Sequence, residues 1–241
     1  MSALVLKLIA AVSMLVDHAG LMLFPKAVVL RYIGRLAFPI YAFFIAEGFR
    51  YTHSRVKYFL RVFLLGLACQ IVYSVAERQI YIGILLTFSM SICIMAAISL
   101  LRSNVRRSDE VVLNKYSRPI VIVLASLLCV FAVGAAYFIC EHITVDYGFF
   151  GVMLPVLVSL SDKKSVRLVL FTLGCVLVTL ESGGVFSVLD KKWLILQSFS
   201  LLTVPLIALY NGERGKYKLK YFFYIFYPAH LAVLYLISLI I

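Results

Sequence analysis

"ALVLKLIAAVSMLVDHAGLMLF", residues 3–24, decides the fold. It is twenty-two residues long, and its charged side chains are Lys7 and Asp17, with His18 beside the acid. About twenty apolar residues are what a helix needs to cross the hydrocarbon core of a bilayer. The stretch outruns a signal peptide, has a single early basic residue, and lacks a small-x-small cleavage site before Asp17, so it reads as a retained first helix. Similar runs recur to the end of the chain. Of 241 residues, 63% are hydrophobic and 14% charged, and mean hydropathy is +1.03. This composition predicts an all-α, polytopic transmembrane helical bundle. A transmembrane β-barrel would instead alternate polar and apolar residues in short segments. No polar stretch is long enough for a separate soluble domain, so residues 1–241 read as a single integral-membrane domain.

Nine apolar segments are expected, at about 3–24, 32–49, 58–76, 80–101, 119–140, 147–160, 166–181, 193–210 and 221–241. The segment at 147–160 is short for a spanning helix. The linkers alternate in charge. Residues 50–61, 102–118, 161–167 and 211–220 hold sixteen of the 23 Lys and Arg residues. The positive-inside rule places these four linkers, and the N-terminus, in the cytoplasm. Lys191 and Lys192, in an outer linker, run against the pattern. The net charge of +12 is thus explained by topology and lipid headgroups, and nucleic acid is not implied. Five cysteines, at 69, 93, 129, 140 and 175, form no CxxC pair and read as small buried hydrophobes, with neither a metal site nor a disulfide.

Polar side chains at membrane depth are costly, so they face the bundle and find partners. Asp17 and His18 are about 100° apart on a helix, so they share an inward sector without stacking. Asp17 can orient a ring, hold a cation or pair with Arg35. His18 can act as a general base. Arg35 follows Gly34, a glycine that permits close approach of a helix or ligand. Arg35 can clamp an anion or polarise a carbonyl, or serve as the ion-pair partner of Asp17. Glu47 ends the same segment on the inner side. His230 follows Pro228, which should kink the last helix, and Tyr227 shares its face. Gln70 and Tyr73 lie on one face of the third segment and extend the polar interior outward. Asp146, Tyr147, Gly148 and Gly151 open the sixth segment. His53 and His142 read as surface residues. HExxH, GxSxG, P-loop and Rossmann patterns are absent.

Four blocks carry a resemblance. "LIAAVSMLVDHAG", "IGRLAFPIYAFFIAEGFR", "DYGFFGVMLPVL" and "FYIFYPAHLAVLYL" resemble, in order and across nearly the whole chain, the blocks of the TraX family, whose name is linked to N-terminal acetylation of F pilin. The wider resemblance is to membrane-embedded acyltransferases. It implies transfer of an acetyl or other acyl group from a cytoplasmic acyl-CoA to an amine or hydroxyl, with a peptide, sugar or lipid acceptor left open. It carries Asp17, His18, Arg35, Tyr147, Gly148 and His230 over as motif positions. His18 or His230 would be the base, and Arg35 or Tyr147 would donate to the oxyanion. Arg50, Arg55, Lys57, Lys216, Lys218 and Lys220 lie on the side where the CoA phosphates need cations. The expected location is the bacterial cytoplasmic membrane. Two other classes fit the residues: a small proton-coupled transporter with an Asp/His relay, and a membrane assembly factor without catalysis.

Overall fold

The structure, a computed structural model, describes residues 1–77, 81–106, 117–181, 191–217 and 219–240. It is built of helices, with no strand among the described residues; the β-pairing is an isolated parallel bridge between Ile82 and Val145. The eleven α-helices are α1 (Ala3–Met22), α2 (Val28–Gly34), α3 (Ala37–Tyr51), α4 (Arg55–Glu77), α5 (Ile84–Arg106), α6 (Ser117–His142), α7 (Gly148–Ser159), α8 (Lys164–Glu181), α9 (Lys191–Ser198), α10 (Thr203–Ala208) and α11 (Lys220–Ser238). A bilayer offers backbone groups no water, so apolar runs of this length close their hydrogen bonds within a helix. Among the described residues, five stretches are long and apolar enough to cross a membrane: 3–22, 28–51, 55–74, 84–105 and 119–142. Shorter apolar helices cover 148–159, 194–208 and 222–238. The protein is an all-α membrane protein, and lipid is the surrounding that its outward-facing apolar side chains require.

Each of the nine expected segments is helical, but two are not continuous. The second breaks at Arg35 and Leu36, between α2 and α3. Pro39 explains the place. It has no N–H for the carbonyl four residues back, and its ring clashes with that carbonyl, which belongs to Arg35. In the eighth, a 3₁₀ turn over Phe199–Leu202 joins α9 to α10. Pro205 acts there in the same way on the carbonyl of Leu201. The expectation of buried cysteines is also corrected. Cys175 is buried, but Cys69, Cys129 and Cys140 are half-buried and Cys93 is exposed, all as free thiols. An apolar thiol in a membrane helix gains as much from facing lipid as from facing the core, so burial does not follow from hydropathy.

The chain packs as two compact units, Met1–Ile45 with Leu160–Ile241, and Ala46–Ser159. In the first, α1 lies against α2 and α11, and α8 against α9 and α10. The start of α1 is tied to the linker before α11: Ala3 N–H donates to Glu213 O at 2.8 Å and Asn211 N–H to Met1 O at 3.0 Å. Lys164 Nζ donates to Tyr210 O at 2.8 Å. Three segments that the charge pattern assigns to one side thus meet at one end of this unit.

In the second unit, α5 packs against α4, α6 and α7. Ser91 Oγ donates to Val152 O at 2.7 Å and Thr87 Oγ1 to Asp146 O at 3.3 Å, hydroxyl bonds between helices of a kind that membrane bundles use. The α4–α5 and α6–α7 linkers, both expected on the outer side, are joined: Ile82 N–H donates to Thr144 O and Asp146 N–H to Ile82 O, each at 2.9 Å. α7 has twelve residues, so it extends about 18 Å, short of a ~30 Å core.

Candidate functional site

The first unit brings Asp17, His18, Arg35 and His230 together. Gly34 makes this possible. A Cβ there would overlap the Oδ1, Cβ and Cγ of Asp17, so only glycine lets the carboxylate lie against α2. Gly20 does the same one turn on, where a Cβ would come within 2.7 Å of Leu30 Cβ. Asp17 is then held by two arginines. Arg35 Nη2 donates to both carboxylate oxygens at 2.8 Å, and Arg31 Nη1 donates to Oδ2 at 2.9 Å. Arg31 and Arg35 are four residues apart at the end of α2, so both reach the same acid. Of the roles open to Asp17, the structure shows the ion pair. Arg35 is buried, and its Nη1 reaches Gln197 Oε1 at 3.5 Å.

The histidines form a second cluster where α1 meets α11. His230 Nε2 lies 3.2 Å from His18 Nδ1, with ring centroids 5.0 Å apart. Each ring is anchored by a carbonyl one turn back: His18 Nδ1 is 2.9 Å from Met14 O, and His230 Nδ1 is 2.8 Å from Phe226 O. A carbonyl only accepts, so both Nδ1 atoms carry the proton in the neutral pair. His230 Nε2 is then a lone-pair acceptor that shares the His18 Nδ1–H with Met14. The remaining nitrogen, His18 Nε2, has its lone pair available. His230 is buried, stacked on Phe226 and edge-on to Tyr227, while His18 is half-buried.

The remaining expected residues fall elsewhere. Tyr147 and Gly148, in the second unit, both have φ of +61° and turn the chain into α7. Glycine adopts this freely, but at Tyr147 the left-handed backbone costs about 1–2 kcal/mol. Asp146 is fixed by the backbone bonds described above, and Gly151 is buried in α7. Gln70 closes the α4–α5 turn, accepting from Gly83 N–H and donating to Ser74 Oγ, each at 3.0 Å. Tyr73 is exposed and packs on Tyr81. Glu47 is buried in α3. Arg50, Arg55, Lys57 and Lys216 are exposed, Arg55 resting on the Phe49 ring. Lys218 and the side chain of Lys220 lie outside the described residues. His53 and His142 are exposed, as expected.

Sequence reading passed over Arg31, Gln197 and Ser200. The signal for Arg31 was its four-residue spacing from Arg35. For Gln197 it was an amide inside an apolar run, "WLILQSFSLL".

The fold and this site define a multi-pass helical membrane protein that holds an arginine-locked aspartate and a linked histidine pair in one unit. The chain belongs to the TraX family: the profile described as TraX protein matches residues 2–238. It is 29% identical to the "Probable fimbrial assembly protein FimC, serogroup H1" of Dichelobacter nodosus, over 97% of this chain and 94% of that one. A shorter match, 34% identical over 31% of this chain and 28% of the other, is to "Uncharacterized protein RP591" of Rickettsia prowazekii (strain Madrid E). No solved structure matches the chain.

Proposed function

We propose that this protein is an acyltransferase of the bacterial cytoplasmic membrane, moving an acetyl group from acetyl-CoA to an amine or hydroxyl. The observation that carries the reading is the histidine pair: His18 is oriented through Nδ1 by Met14 O and His230, and presents a basic Nε2. A thioester is already activated, so the protein has to position it, remove a proton from the attacking group and steady the oxyanion. His18 Nε2 takes the proton as the acceptor nitrogen or oxygen attacks the carbonyl carbon. The tetrahedral intermediate collapses, the C–S bond breaks, and the thiolate leaves as CoA after recovering a proton. His230 Nε2 accepts from the His18 imidazolium and spreads its charge. Asp17 holds Arg35 in place and is not the base.

Cations of the basic linkers suit the CoA phosphates; in the unit that holds the histidines, Lys216 is exposed. Asp17 is fourteen residues from Ala3, about 21 Å along α1 from the end tied to the 211–214 linker. The donor's flexible arm would therefore thread the bundle from the basic side. Since FimC is named for fimbrial assembly, a pilin subunit is the acceptor to try first.

The test uses purified protein in nanodiscs with isotopically labelled acetyl-CoA and pilin, read by mass spectrometry. Wild type is expected to bind acetyl-CoA and label the pilin. His18→Ala should keep binding and lose transfer by about 10²–10⁴-fold. A folded wild type that binds no acyl-CoA, yet carries protons into liposomes, would replace this reading with the transporter.

A further inference from the structure

Among the described residues, Gln197 Nε2 and Ser200 Oγ are buried donors of the first unit that find no acceptor in the protein. Gln197 is 2% exposed and Ser200 1%. A buried donor without an acceptor is expensive and rare in folded proteins. The orientation of the amide is fixed by chemistry. Arg35 only donates, so the Gln197 oxygen must face it and the NH₂ must face away. Neither group can swing far, because the backbone around them is tied: Thr203 Oγ1 donates to Ser200 O at 2.6 Å, Thr179 Oγ1 to Gln197 O at 3.5 Å, and Phe199 stacks on Tyr32 of α2 with centroids 4.5 Å apart.

The two donors are three residues apart, where helical geometry decides how nearly they line up. Residues i and i+3 eclipse in a 3₁₀ helix, whereas they are offset by about 60° in an α-helix. The 3₁₀ turn over Phe199–Leu202 rotates Ser200 toward the line of Gln197. The sequence origin of the turn is Pro205. What would satisfy both groups is one acceptor oxygen, held in a dry place on the side of the Gln197 amide that faces away from Arg35.

We infer that Gln197 and Ser200 form a donor pair that receives the acyl carbonyl oxygen of the substrate, with the Gln197 amide oriented by Arg35. This inference rests on the acyltransferase reading. It adds a residue pair whose task is to recognise the thioester carbonyl, the one group that separates acetyl-CoA from CoA.

Calorimetry of both ligands on the full chain in nanodiscs tests it, with wild type, Gln197→Met, Gln197→Glu and Ser200→Ala. Wild type should prefer acetyl-CoA over CoA by about tenfold, the scale of one or two neutral hydrogen bonds. In each variant the preference should fall to about one, with CoA affinity unchanged. Ligand-free melting temperatures provide the second readout. Gln197→Met and Ser200→Ala remove a donor with no protein acceptor among the described residues, so neither should melt lower than wild type. Gln197→Glu keeps an oxygen on Arg35 and should melt as high or higher, while still losing the preference. A wild type that binds both ligands equally, variants that keep the preference, or a melting drop of several degrees in Gln197→Met and Ser200→Ala would each overturn the donor pair alone. A wild type that binds neither ligand would overturn the acyl-CoA reading and this assignment with it.

Discussion

Gly34 decides whether the acid and the arginines can meet. Gly34→Ala would drive a methyl group into the side chain of Asp17, including its Cβ, which cannot swing aside as a side-chain tip can. The carboxylate would leave both guanidiniums, and breaking a buried ion pair costs about 3–5 kcal/mol. A fall in detergent melting temperature comparable to that of Asp17→Ala is expected, and the double variant should lose little more than either alone. His230→Ala has a different signature. It should lower the melting temperature, because a buried ring leaves a cavity, and on the proposed reading it should lower transfer less than His18→Ala does, because it removes the partner of the base and not the base. These residues were legible in the sequence because charge and imidazole stand out within apolar runs. Which partner Asp17 takes was not legible, since Arg35 and His18 were both within reach. Arg31 looked like a helix-end cation, and Gln197 and Ser200 carry no charge to draw notice.

Two prolines shape the elements around the site, and both act on the carbonyl four residues behind them. Pro205→Ala should let the 3₁₀ turn relax to α-helix. That would stabilise the protein, by up to about 3 kcal/mol for a helix-interior proline, while turning Ser200 away from Gln197. The expected result is a higher melting temperature with a weakened preference for acetyl-CoA over CoA. Unchanged preference would show that the turn does not align the pair. The same arithmetic applied to Pro39 would have found the break at Arg35 from sequence. Hydropathy could not, because the residues on either side are equally apolar. Nine apolar runs gave nine helical stretches for the reason stated above: in lipid, backbone groups have nowhere else to bond.

For the whole molecule, charge assigned the sides. Single cysteines at His53, Asp162 and Glu213, in a chain without its native cysteines, should react with an impermeant maleimide from the cytoplasmic side, and one at Thr144 from the other. Labelling of Thr144 and Glu213 positions from the same side would reverse the arrangement. The charge rule counts only the ends of helices. It gave no hint that the described residues divide at Ile45 and Leu160, because every segment is as greasy as its neighbours.

The chain order has a consequence for how the site comes into being. Asp17 meets Arg31 and Arg35 fourteen and eighteen residues later, within one short hairpin. His18 meets His230 across 212 residues. Synthesis proceeds from the N-terminus, so the acid is paired as soon as α2 and Arg35 emerge, and the hairpin can sit in lipid without a bare carboxylate. The imidazole pair closes only when α11 arrives. If the acyltransferase reading proposed above holds, the acid is secured early and the base is assembled last, so a nascent chain still on the ribosome would have no assembled base with which to act on passing substrate.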